Sequence, residues 1–485
     1  MRPRSTVVLV LLATAFAASA IPQRSATAAR RPNVVVIMTD DQRSDTLEHM
    51  PTVRTSLQRR GVTFRNAFVP NALCCPSRVS TLTGLHSHTT GVYGNKLPWG
   101  GFSAFDDDVT IATVLEDAGY RTLYVGKYLN GYPREGTADH RYVPPGWDRW
   151  FAIPGGAYYD YVAADNGRKT SRFGRRPEDY SGRVLTRRAI ADVRSTRRGH
   201  PFFLFYAPSA PHAAGSDSGA DPVKTATPDP RDVGRFADEP PWRPATYGTR
   251  DDVSDMPEYV RRKRWRPALR DRIDLFRQRQ LESLYSLDRE VGRILGVLPR
   301  NTLVIFLSDN GFLWGEHRWR AKLVPYEESI RIPMIVRWPG VVHRRVDRRL
   351  VLNIDVVPTI LAAAGLPRTT PTGIDPSTGK AVRAQGLDLL GRKERARFVL
   401  EHFNGADGGV PGYCGVRTAD GWMYARYWQE RSPDNGFEDL YRVSRDPLQR
   451  RNLATRARFA PKKDDLRALT RRLCDPPPPT YRWSG

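Results

Sequence analysis

Apolar runs alternate with amphipathic stretches along most of the chain. Runs of consecutive apolar residues, typical of buried strands, occur in five segments: 31–42, 122–128, 201–212, 302–311 and 332–340. Apolar residues at helical spacing occur in four others: 109–120, 180–195, 271–298 and 355–365. This alternation predicts an α/β fold in which a large, mostly parallel sheet is flanked by helices.

The pattern changes from about residue 392. Short segments typical of antiparallel strands are followed by a helical pattern at 464–475. We therefore predict a main domain at 30–391 and a smaller C-terminal subdomain, of antiparallel strands plus a helix, at 392–485. Residues 213–270 are rich in Pro, Asp, Gly and Arg, which predicts a long surface excursion that faces the substrate.

Another apolar run lies at the N-terminus. The basic start MRPR precedes STVVLVLLATAFAASA, an order of residue types that is typical of a secretory signal peptide. We assign residues 1–29 to a signal peptide and leader, and we expect a secreted, extracellular protein without stable membrane insertion after cleavage. An uncleaved anchor is the alternative, although this run is short for a membrane span. The rest of the sequence offers no transmembrane candidate.

Basic residues exceed acidic ones by a wide margin. Lys and Arg number 76 against 52 Asp and Glu, which gives a formal net charge of +24, and only ten of the 76 are lysines. This excess fits nucleic-acid binding, a polyanionic substrate such as a sulfated glycan, or an arginine-rich compositional habit. Motifs of nucleic-acid recognition are missing and export argues against that partner, so we expect no nucleic acid. We favour the compositional habit, with attraction of anions as a side effect.

Polar residues follow two of the predicted strands where each strand ends. Asp40 and Asp41 come after the first, and Asp309 and Asn310 come after a strand far away in sequence. In open α/β sheets ligands bind beyond the carboxyl ends of the strands, and oxygen donors there suit Ca²⁺ or Mg²⁺. Taken singly, each acid is more often a helix cap or a turn residue.

Two adjacent cysteines precede Pro-Ser-Arg in the segment NALCCPSRVSTLTG, residues 71–84. Proline suits the first turn of a helix, so Cys74 and Cys75 are expected at a helix N-terminus. Backbone N–H groups there favour anions and lower a thiol pKa, and Arg78 adds a fixed positive charge. The alternative is a pair of small buried cysteines that begin a helix.

The whole segment resembles the signature of the sulfatase family, Cys-x-Pro-Ser-Arg followed by Leu-Thr-Gly. Further segments similar to that family occur along the chain in the order expected for the family: TDD at 39–41, GKY at 126–128, PH at 211–212, SDNG at 308–311 and YEESIRIP at 326–333. The resemblance spans nearly the whole mature chain. The strings CCPSR, GKYLN and DNGF are most similar to N-acetylglucosamine-6-sulfatases and related glycan sulfatases. An alkaline-phosphatase-like fold is implied.

The resemblance also implies a set of site residues. Cys74 occupies the position that a formylglycine-generating enzyme converts to formylglycine (3-oxoalanine), and Cys75 fills the variable position as a packing residue. One Ca²⁺ per chain is implied, with these ligands: Asp40, Asp41, Cys74, Asp309 and Asn310. Sulfate would be neutralised by Arg78, Lys127 and Lys322, and His212 would protonate the departing alcohol. The substrate implied is a sulfated sugar or glycan, or an aryl sulfate.

Several points stay open from the sequence. Many arylsulfatases carry a histidine where this chain has Leu129, so the base for sulfate release is unassigned; His317 is a candidate, and it also competes with Lys322. A phosphonate or phosphate ester hydrolase of the same superfamily, or a non-catalytic binder of sulfated polymers, is the alternative function. Cys414 and Cys474 are expected to form a disulfide in an exported protein, against the alternative of two buried thiols.

Overall fold

The structure is a computed structural model that describes residues 31–132, 141–170, 172–215, 224–248, 253–263, 267–403 and 409–483. The predicted signal peptide and leader lie outside the described residues. Within these ranges, no helix combines the length and the apolar character that a membrane crossing requires.

The described strands run in chain order as follows: β1 (Asn33–Thr39), β2 (Val62–Phe68), β3 (Arg121–Lys127), β4 (Arg149–Ile153), β5 (Ala164–Asp165), β6 (Arg168–Lys169), β7 (Phe202–Ala207), β8 (Thr302–Ser308), β9 (Leu313–Trp314), β10 (Arg320–Ala321), β11 (Met334–Arg337), β12 (Arg345–Leu352), β13 (Pro371–Asp375), β14 (Lys380–Arg383), β15 (Arg397–His402), β16 (Gly412–Thr418), β17 (Trp422–Trp428) and β18 (Glu438–Arg442). The described α-helices are α1 (Pro51–Ser56), α2 (Cys74–Thr83), α3 (Ser87–Thr90), α4 (Ile111–Asp117), α5 (Ser181–Arg194), α6 (Glu258–Arg261), α7 (Pro267–Leu295), α8 (Glu327–Ile330), α9 (Val356–Ala363) and α10 (Ala460–Leu473).

Ten strands form one large mixed sheet in the order β12-β2-β11-β8-β1-β7-β3-β4-β5-β6. The central strands β8, β1, β7, β3 and β4 are parallel to their neighbours in this run, whereas β11 is antiparallel to both β2 and β8. Strands β7 and β8 are buried along their whole length, as apolar runs covered on both faces should be. The predicted α/β fold with a mostly parallel sheet is confirmed.

Helices cover both faces of this sheet. One apolar cluster packs α2, α4 and α9 against one face, and a second packs α1, α5 and α7 against the other. Alternate residues of β1 divide between the two clusters: Val34 and Val36 face one, and Val35 and Ile37 face the other. This alternation is the two-residue period of a strand that is buried on both sides.

Strands β15 to β18 form a separate four-stranded antiparallel sheet, and this confirms the pattern predicted after residue 392. One face of this sheet, including Leu400 and Met423, joins the apolar cluster of the main sheet. The other face packs against α10 through Leu466. A disulfide joins Cys414 of β16 to Cys474 directly after α10, as expected from the sequence.

The excursion at 213–270 is only in part a surface segment. Asp229 and Asp232 are buried in it, because both are tied to the long helix α7. Asp229 N donates to Ser286 Oγ at 3.0 Å, and Ser286 Oγ donates to Asp232 Oδ2 at 2.6 Å. This part of the excursion is therefore anchored to α7.

Candidate active site

Four neighbouring strands end at one edge of the main sheet, and polar residues follow each of them. Their order is β8-β1-β7-β3, and in β1 and β8 the last residues, Thr39 and Ser308, are directly paired. This register brings the residues that follow the two strands side by side. The sheet thus unites residues that are more than 260 positions apart in sequence.

The two acidic segments are in direct contact. Asp41 N donates to Asp309 Oδ1 at 3.1 Å, and Asn310 Nδ2 donates to Asp41 Oδ1 at 2.7 Å. Asp40, Asp309 and Asn310 are fully buried. Asp41 adopts the left-handed conformation, with φ 67°, which Asp tolerates better than most residues. The predicted proximity of the two strand ends is confirmed.

Helix α2 brings Cys74 and Arg78 to the same edge, one turn apart. Cys74 begins the helix and its thiol is 3.5 Å from Asp40 Oδ1. Arg78 Nε donates to Asp309 Oδ2 at 2.9 Å, and its Nη1 donates to the carbonyl oxygen of Lys127 at 2.9 Å. Arg78 Nη2 lies 3.5 Å from Asp40 Oδ2 and is a buried atom with no hydrogen-bond partner among the described residues.

Cys75 points elsewhere. It is fully buried in the apolar cluster of the main sheet, and its backbone N–H donates to Asn95 Oδ1 at 3.0 Å. Leu73 precedes the helix and supplies no side-chain cap, so Asn95 takes part of that role from a distant loop. The neighbouring cysteines thus differ in surroundings: Cys74 faces charged groups, and Cys75 faces the core.

Two lysines complete the buried cluster. Lys127, the last residue of β3, donates from Nζ to Asp40 Oδ2 at 2.6 Å. Lys322 comes from the loop after β10; its Nζ donates to Asp41 Oδ1 and to Cys74 Sγ, the latter at 2.8 Å. Only 2% of Lys127 and 8% of Lys322 is exposed. Lysine is almost never buried without a partner, and both of these have carboxylate partners.

The glycine before Lys127 is required by the close approach of two strands. Gly126 has φ 137°, and a Cβ atom at that position would lie 2.0 Å from the carbonyl oxygen of Ala207 in the neighbouring strand β7. Any side chain would push the strands apart. The glycine therefore fixes the position from which Lys127 enters the site.

His212 follows β7 and is the most exposed residue of the predicted set. Its Nε2 lies 3.8 Å from Asp41 Oδ2, and its Nδ1 is 2.6 Å from the carbonyl oxygen of Ala213. Since that carbonyl can only accept, Nδ1 carries a proton and donates. Tyr158 OH donates to the carbonyl oxygen of His212 at 2.7 Å and holds the loop.

The electrostatics of the cluster are those of a buried, balanced set of charges. Burial alone would raise the pKa of Asp40, but Lys127, His212 and Arg78 together hold it well below the usual value. Burial and the neighbouring Asp40 raise the pKa of Asp309 to about 6. Burial opposes the charge on Lys322, yet Asp41 raises the pKa of this lysine well above the ordinary value. Three cations thus face three carboxylates.

The thiol behaves differently. Burial raises the pKa of Cys74 to about 12, despite the nearby charges of Lys127 and Lys322. An unmodified Cys74 is therefore a neutral thiol at physiological pH, and thiolates rather than thiols are nucleophiles.

The oxygen atoms of the site, rather than its sulfur and nitrogen atoms, suit a hard divalent cation. Four residues offer ligand atoms that all lie within 4.8 Å of one another: Asp40, Asp41, Cys74 and His212. Asn310 Oδ1 is buried beside Asp41 and has no hydrogen-bond partner in the part of the chain that the structure describes. A buried amide oxygen without a donor is unusual and is what a ligand to a cation requires.

Two residues that the sequence left open lie in packed surroundings. Leu129 is buried in the apolar cluster of the main sheet. His317 stacks on Tyr326 with ring centroids 3.8 Å apart, and its Nε2 is 3.9 Å from Glu328 Oε2. His317 thus lies against Tyr326 and Glu328. Of the two residues that the sequence left in competition, it is Lys322 that contacts Cys74.

Arg43, a buried residue just beyond the first acid pair, was not predicted from the sequence. Its Nη1 donates to Glu316 Oε1 at 2.8 Å and to the carbonyl oxygen of Phe312 at 2.9 Å, and its guanidinium lies over the ring of Trp314 at 4.3 Å. It also pairs with Asp45 at 2.7 Å. Arg43 thus ties the loop after β1 to the loop after β8. Only its position after TDDQ could have drawn attention to it.

Two family profiles match the chain. The sulfatase profile covers residues 32–366, and the profile named N-sulphoglucosamine sulphohydrolase, C-terminal, covers residues 315–474. The human N-acetylglucosamine-6-sulfatase is 31% identical over 357 residues, covering 69% of this chain and 61% of that protein. An N-acetylglucosamine-6-O-sulfatase of Bacteroides thetaiotaomicron is 26% identical over 543 residues, covering 96% and 90%.

An extracellular sulfatase SULF-1 homologue of Drosophila melanogaster is 30% identical over 407 residues, covering 77% of this chain and 34% of that protein. This chain also spans only 47% of a matching Caenorhabditis elegans homologue. The matching part of this chain therefore spans less than half the length of each of these two relatives.

Solved structures share the fold. One is a complex of a protein with its substrate D-glucosamine-2-N,6-O-disulfate; its TM-score is 0.73 at 22% identity, covering 92% of this chain and 98% of that one. Another is a phosphonate monoester hydrolase from Silicibacter pomeroyi, with a TM-score of 0.66 at 20% identity, covering 92% and 96%.

Proposed function

Because the chain belongs to the sulfatase family, a family of sulfuric ester hydrolases, we propose that it hydrolyses sulfate monoesters on a sugar or glycan. The observation that carries this proposal is the position of Cys74. Its Sγ atom lies at the start of α2, 2.8 Å from Lys322 Nζ and 3.5 Å from Asp40 Oδ1, within a cluster of buried charges.

The nucleophile of the proposed reaction is a formylglycine made from Cys74. The buried thiol is itself a poor nucleophile, since its pKa is raised to about 12. A hydrated aldehyde at this position has two hydroxyl groups on one carbon. One oxygen attacks the sulfur atom, and the bond between sulfur and the substrate alcohol breaks. The second hydroxyl then loses its proton, the aldehyde re-forms, and sulfate leaves with the electrons of the C–O bond.

Three cations of the site would neutralise the sulfate oxygens as charge develops on them. Arg78 Nη2 is suited to this because it is buried and lacks a hydrogen-bond partner among the described residues. Lys127 and Lys322 would act as point charges from either side of residue 74. His212 is exposed enough to reach a bound alcohol, and we assign it the proton that this leaving group requires.

The residues proposed to hold Ca²⁺ are Asp40, Asp41, Asp309, Asn310 and residue 74. A divalent cation bound there supplies Lewis-acid polarisation of the sulfate group. The buried amide oxygen of Asn310 supports this assignment. Asp309 is also held by Arg78 at 2.9 Å, so its carboxylate would be oriented before the ion binds.

For the substrate we propose a sulfated amino sugar of the N-acetylglucosamine 6-sulfate type, based on the names of two relatives. We also propose that the protein is exported, as the N-terminal segment and the extracellular relatives suggest. A formylglycine-generating enzyme would then be its partner during maturation.

The experiment is mass spectrometry of the peptide that contains residues 66–78, from protein produced with a formylglycine-generating enzyme. Conversion lowers the mass of Cys74 by about 18 Da, the difference between a thiol and an aldehyde side chain. The same preparation is then assayed on N-acetylglucosamine 6-sulfate with Ca²⁺. Cys74→Ala should abolish turnover, whereas Cys75→Ala should retain it. Turnover by unmodified protein, or equal loss in both variants, would contradict the assignment.

A second candidate function is supported by the fold of the phosphonate monoester hydrolase. A phosphonate monoester differs from a sulfate monoester in its central atom, phosphorus in place of sulfur, and in having a P–C bond in place of one terminal S–O bond. Relative kcat/KM values on matched sulfate, phosphate and phosphonate esters of the same alcohol separate the two candidates. A preference for the sulfate ester by tenfold or more would favour the first, while the reverse order would favour the second.

A further inference from the structure

A cavity of about 520 Å³ lies in the C-terminal subdomain, between the end of β18 and the start of α10. Its charged lining residues are five arginines and one acid: Arg442, Arg445, Arg450, Arg451, Arg458 and Asp446. We call this the arginine cavity. It has a formal excess of four positive charges in a space large enough for a sugar-sized ligand.

These arginines differ from others in the same protein. Arg467 of α10 pairs with Glu438 at 2.7 Å, and Arg395 pairs with Asp355 at 2.7 Å. In the part of the chain that the structure describes, by contrast, the guanidinium nitrogens of the five cavity arginines all lie more than 4.0 Å from any carboxylate oxygen. The one acid, Asp446, accepts from the backbone N–H of Arg451 at 3.0 Å. Among the described residues, the cavity thus combines five guanidinium groups that form no ion pair with a single carboxylate, that of Asp446.

Aromatic rings hold two of these guanidinium groups in place. Arg442 Cζ lies 5.4 Å from the ring centroid of Trp422, and Arg458 Cζ lies 4.8 Å from that of Phe459. Arg442 Nε is moreover a buried atom without a hydrogen-bond partner among the described residues. Ring faces orient a guanidinium group without satisfying its N–H donors, so the donors of the exposed Arg458 stay available to an anion.

We propose that the arginine cavity binds a sulfated glycan through residues that are distinct from the proposed catalytic set. Guanidinium groups match the oxygens of a sulfate group in charge and in fork-like geometry. Leu453 and Phe459 in the lining add apolar surface for a sugar ring. A glycan is favoured over a nucleic acid because the sequence has no nucleic-acid recognition motif. The use of this cavity to retain a polymeric substrate rests on the proposed function, but the binding itself does not.

The test compares two triple variants of the full-length, matured protein. The cavity variant is Arg445→Glu, Arg450→Glu and Arg451→Glu, all at exposed positions. The control variant is Arg194→Glu, Arg197→Glu and Arg198→Glu, also exposed and with the same change in net charge. Binding of a size-defined heparin octasaccharide is measured by titration calorimetry at about 150 mM NaCl, where long-range attraction is screened. Thermal unfolding checks that both variants fold.

The cavity variant should bind the octasaccharide at least about tenfold more weakly than the parent, and the control should change less than about twofold. Equal weakening in both variants would overturn the proposal, since the general charge of the protein would then explain the binding. Unchanged affinity in both variants would overturn it as well. Equal affinity for a single-stranded oligonucleotide of matched charge would overturn the choice of a glycan. If the cavity variant is misfolded, the neutral variant Arg450→Gln and Arg451→Gln is expected to give a smaller loss in the same direction.

A kinetic measurement separates this proposal from the proposed function. The kcat/KM on N-acetylglucosamine 6-sulfate should be the same in the parent and in both variants. On a sulfated polymer, the cavity variant should show a KM raised by about the same factor as its loss of binding. If the parent shows no turnover at all, the proposed function fails, while the binding experiment still decides on the cavity.

Discussion

Lys322 Nζ lies 2.8 Å from Cys74 Sγ and also donates to Asp41 Oδ1, so one ammonium group contacts both the residue proposed for modification and a carboxylate proposed to hold the cation. Lys322→Ala should lower kcat on a sulfated sugar about 100-fold, because one charge that stabilises the transition state is lost. The measurement is steady-state kinetics. Lys380→Ala, at an exposed lysine of β14, should leave kcat unchanged. A rise in KM with kcat unchanged would instead argue that Lys322 contributes only to substrate binding.

Asn310 provides a test of the cation site that does not depend on turnover. Ca²⁺ should raise the unfolding temperature of the parent protein, since a ligand at 100 times its Kd stabilises the folded state by about 2.7 kcal/mol. Asn310→Ala should lose most of this shift, whereas Asn301→Ala, before the opposite end of β8, should keep it. Differential scanning calorimetry with Ca²⁺ and with a chelator measures both. An identical shift in both variants would exclude Asn310 as a ligand.

Arg43 is expected to act as a positioning residue through Glu316. Arg43→Lys keeps the charge but loses the planar group that also pairs with Asp45 and lies over Trp314. The Ca²⁺ concentration for half-maximal activity should rise about tenfold, with kcat recovered at saturation. Arg59→Lys, at an exposed position, serves as the control. A fall in kcat that no amount of Ca²⁺ restores would contradict a positioning role.

His88 and Glu401 connect the main domain to the C-terminal sheet, with His88 Nδ1 2.9 Å from Glu401 Oε2. Burial opposes the charge on His88, but Glu401 raises its pKa above the usual 6.5. A raised histidine pKa contributes stability fully below 6.5, and that contribution is lost as the pH rises through the folded-state value. Glu401→Gln should therefore cost about 2 kcal/mol near pH 6 and less near pH 9, measured by urea unfolding. Glu394→Gln, which is exposed, should cost little at either pH; a cost independent of pH would exclude the ion pair.

The disulfide between Cys414 and Cys474 closes a loop of 60 residues. Its removal in Cys414→Ala with Cys474→Ala should lower the free energy of unfolding by about 4 kcal/mol, because the unfolded chain gains freedom. Urea unfolding of the parent with and without reductant provides the matched comparison. Equal stability of the oxidised and reduced parent would show that the bridge contributes nothing.

The centre of the sheet and the contact between the two acid pairs could be predicted from the sequence. Strands β1 and β8 are long apolar runs, and the carboxyl ends of parallel strands meet at one edge. The edge strand β12 could not be predicted, since it carries Arg345, Asp347, Arg348 and Arg349 and buries only its last three residues. Its pairing with β2 depends on tertiary contacts.

The site was predictable only where strand or helix geometry sets the spacing. Lys127 ends a strand and Arg78 is one helical turn from Cys74, so their positions follow from local structure. Lys322 ends an irregular loop in which several residues, including His317 and Ala321, have positive φ. Spacing along such a loop does not say which side chain reaches the site. The link between Arg43 and Glu316 spans 273 positions and leaves no local pattern.

The burial of residue 74 limits the stage of maturation at which this side chain is accessible to modification. Only 1% of Cys74 is exposed, and all ten residues of α2 are buried beneath the surrounding loops. A side chain that is buried in a packed helix is not accessible to a second protein in the folded state. The conversion proposed for Cys74 would therefore have to precede the packing of α2, and folding would then fix the chemical state that residue 74 has reached.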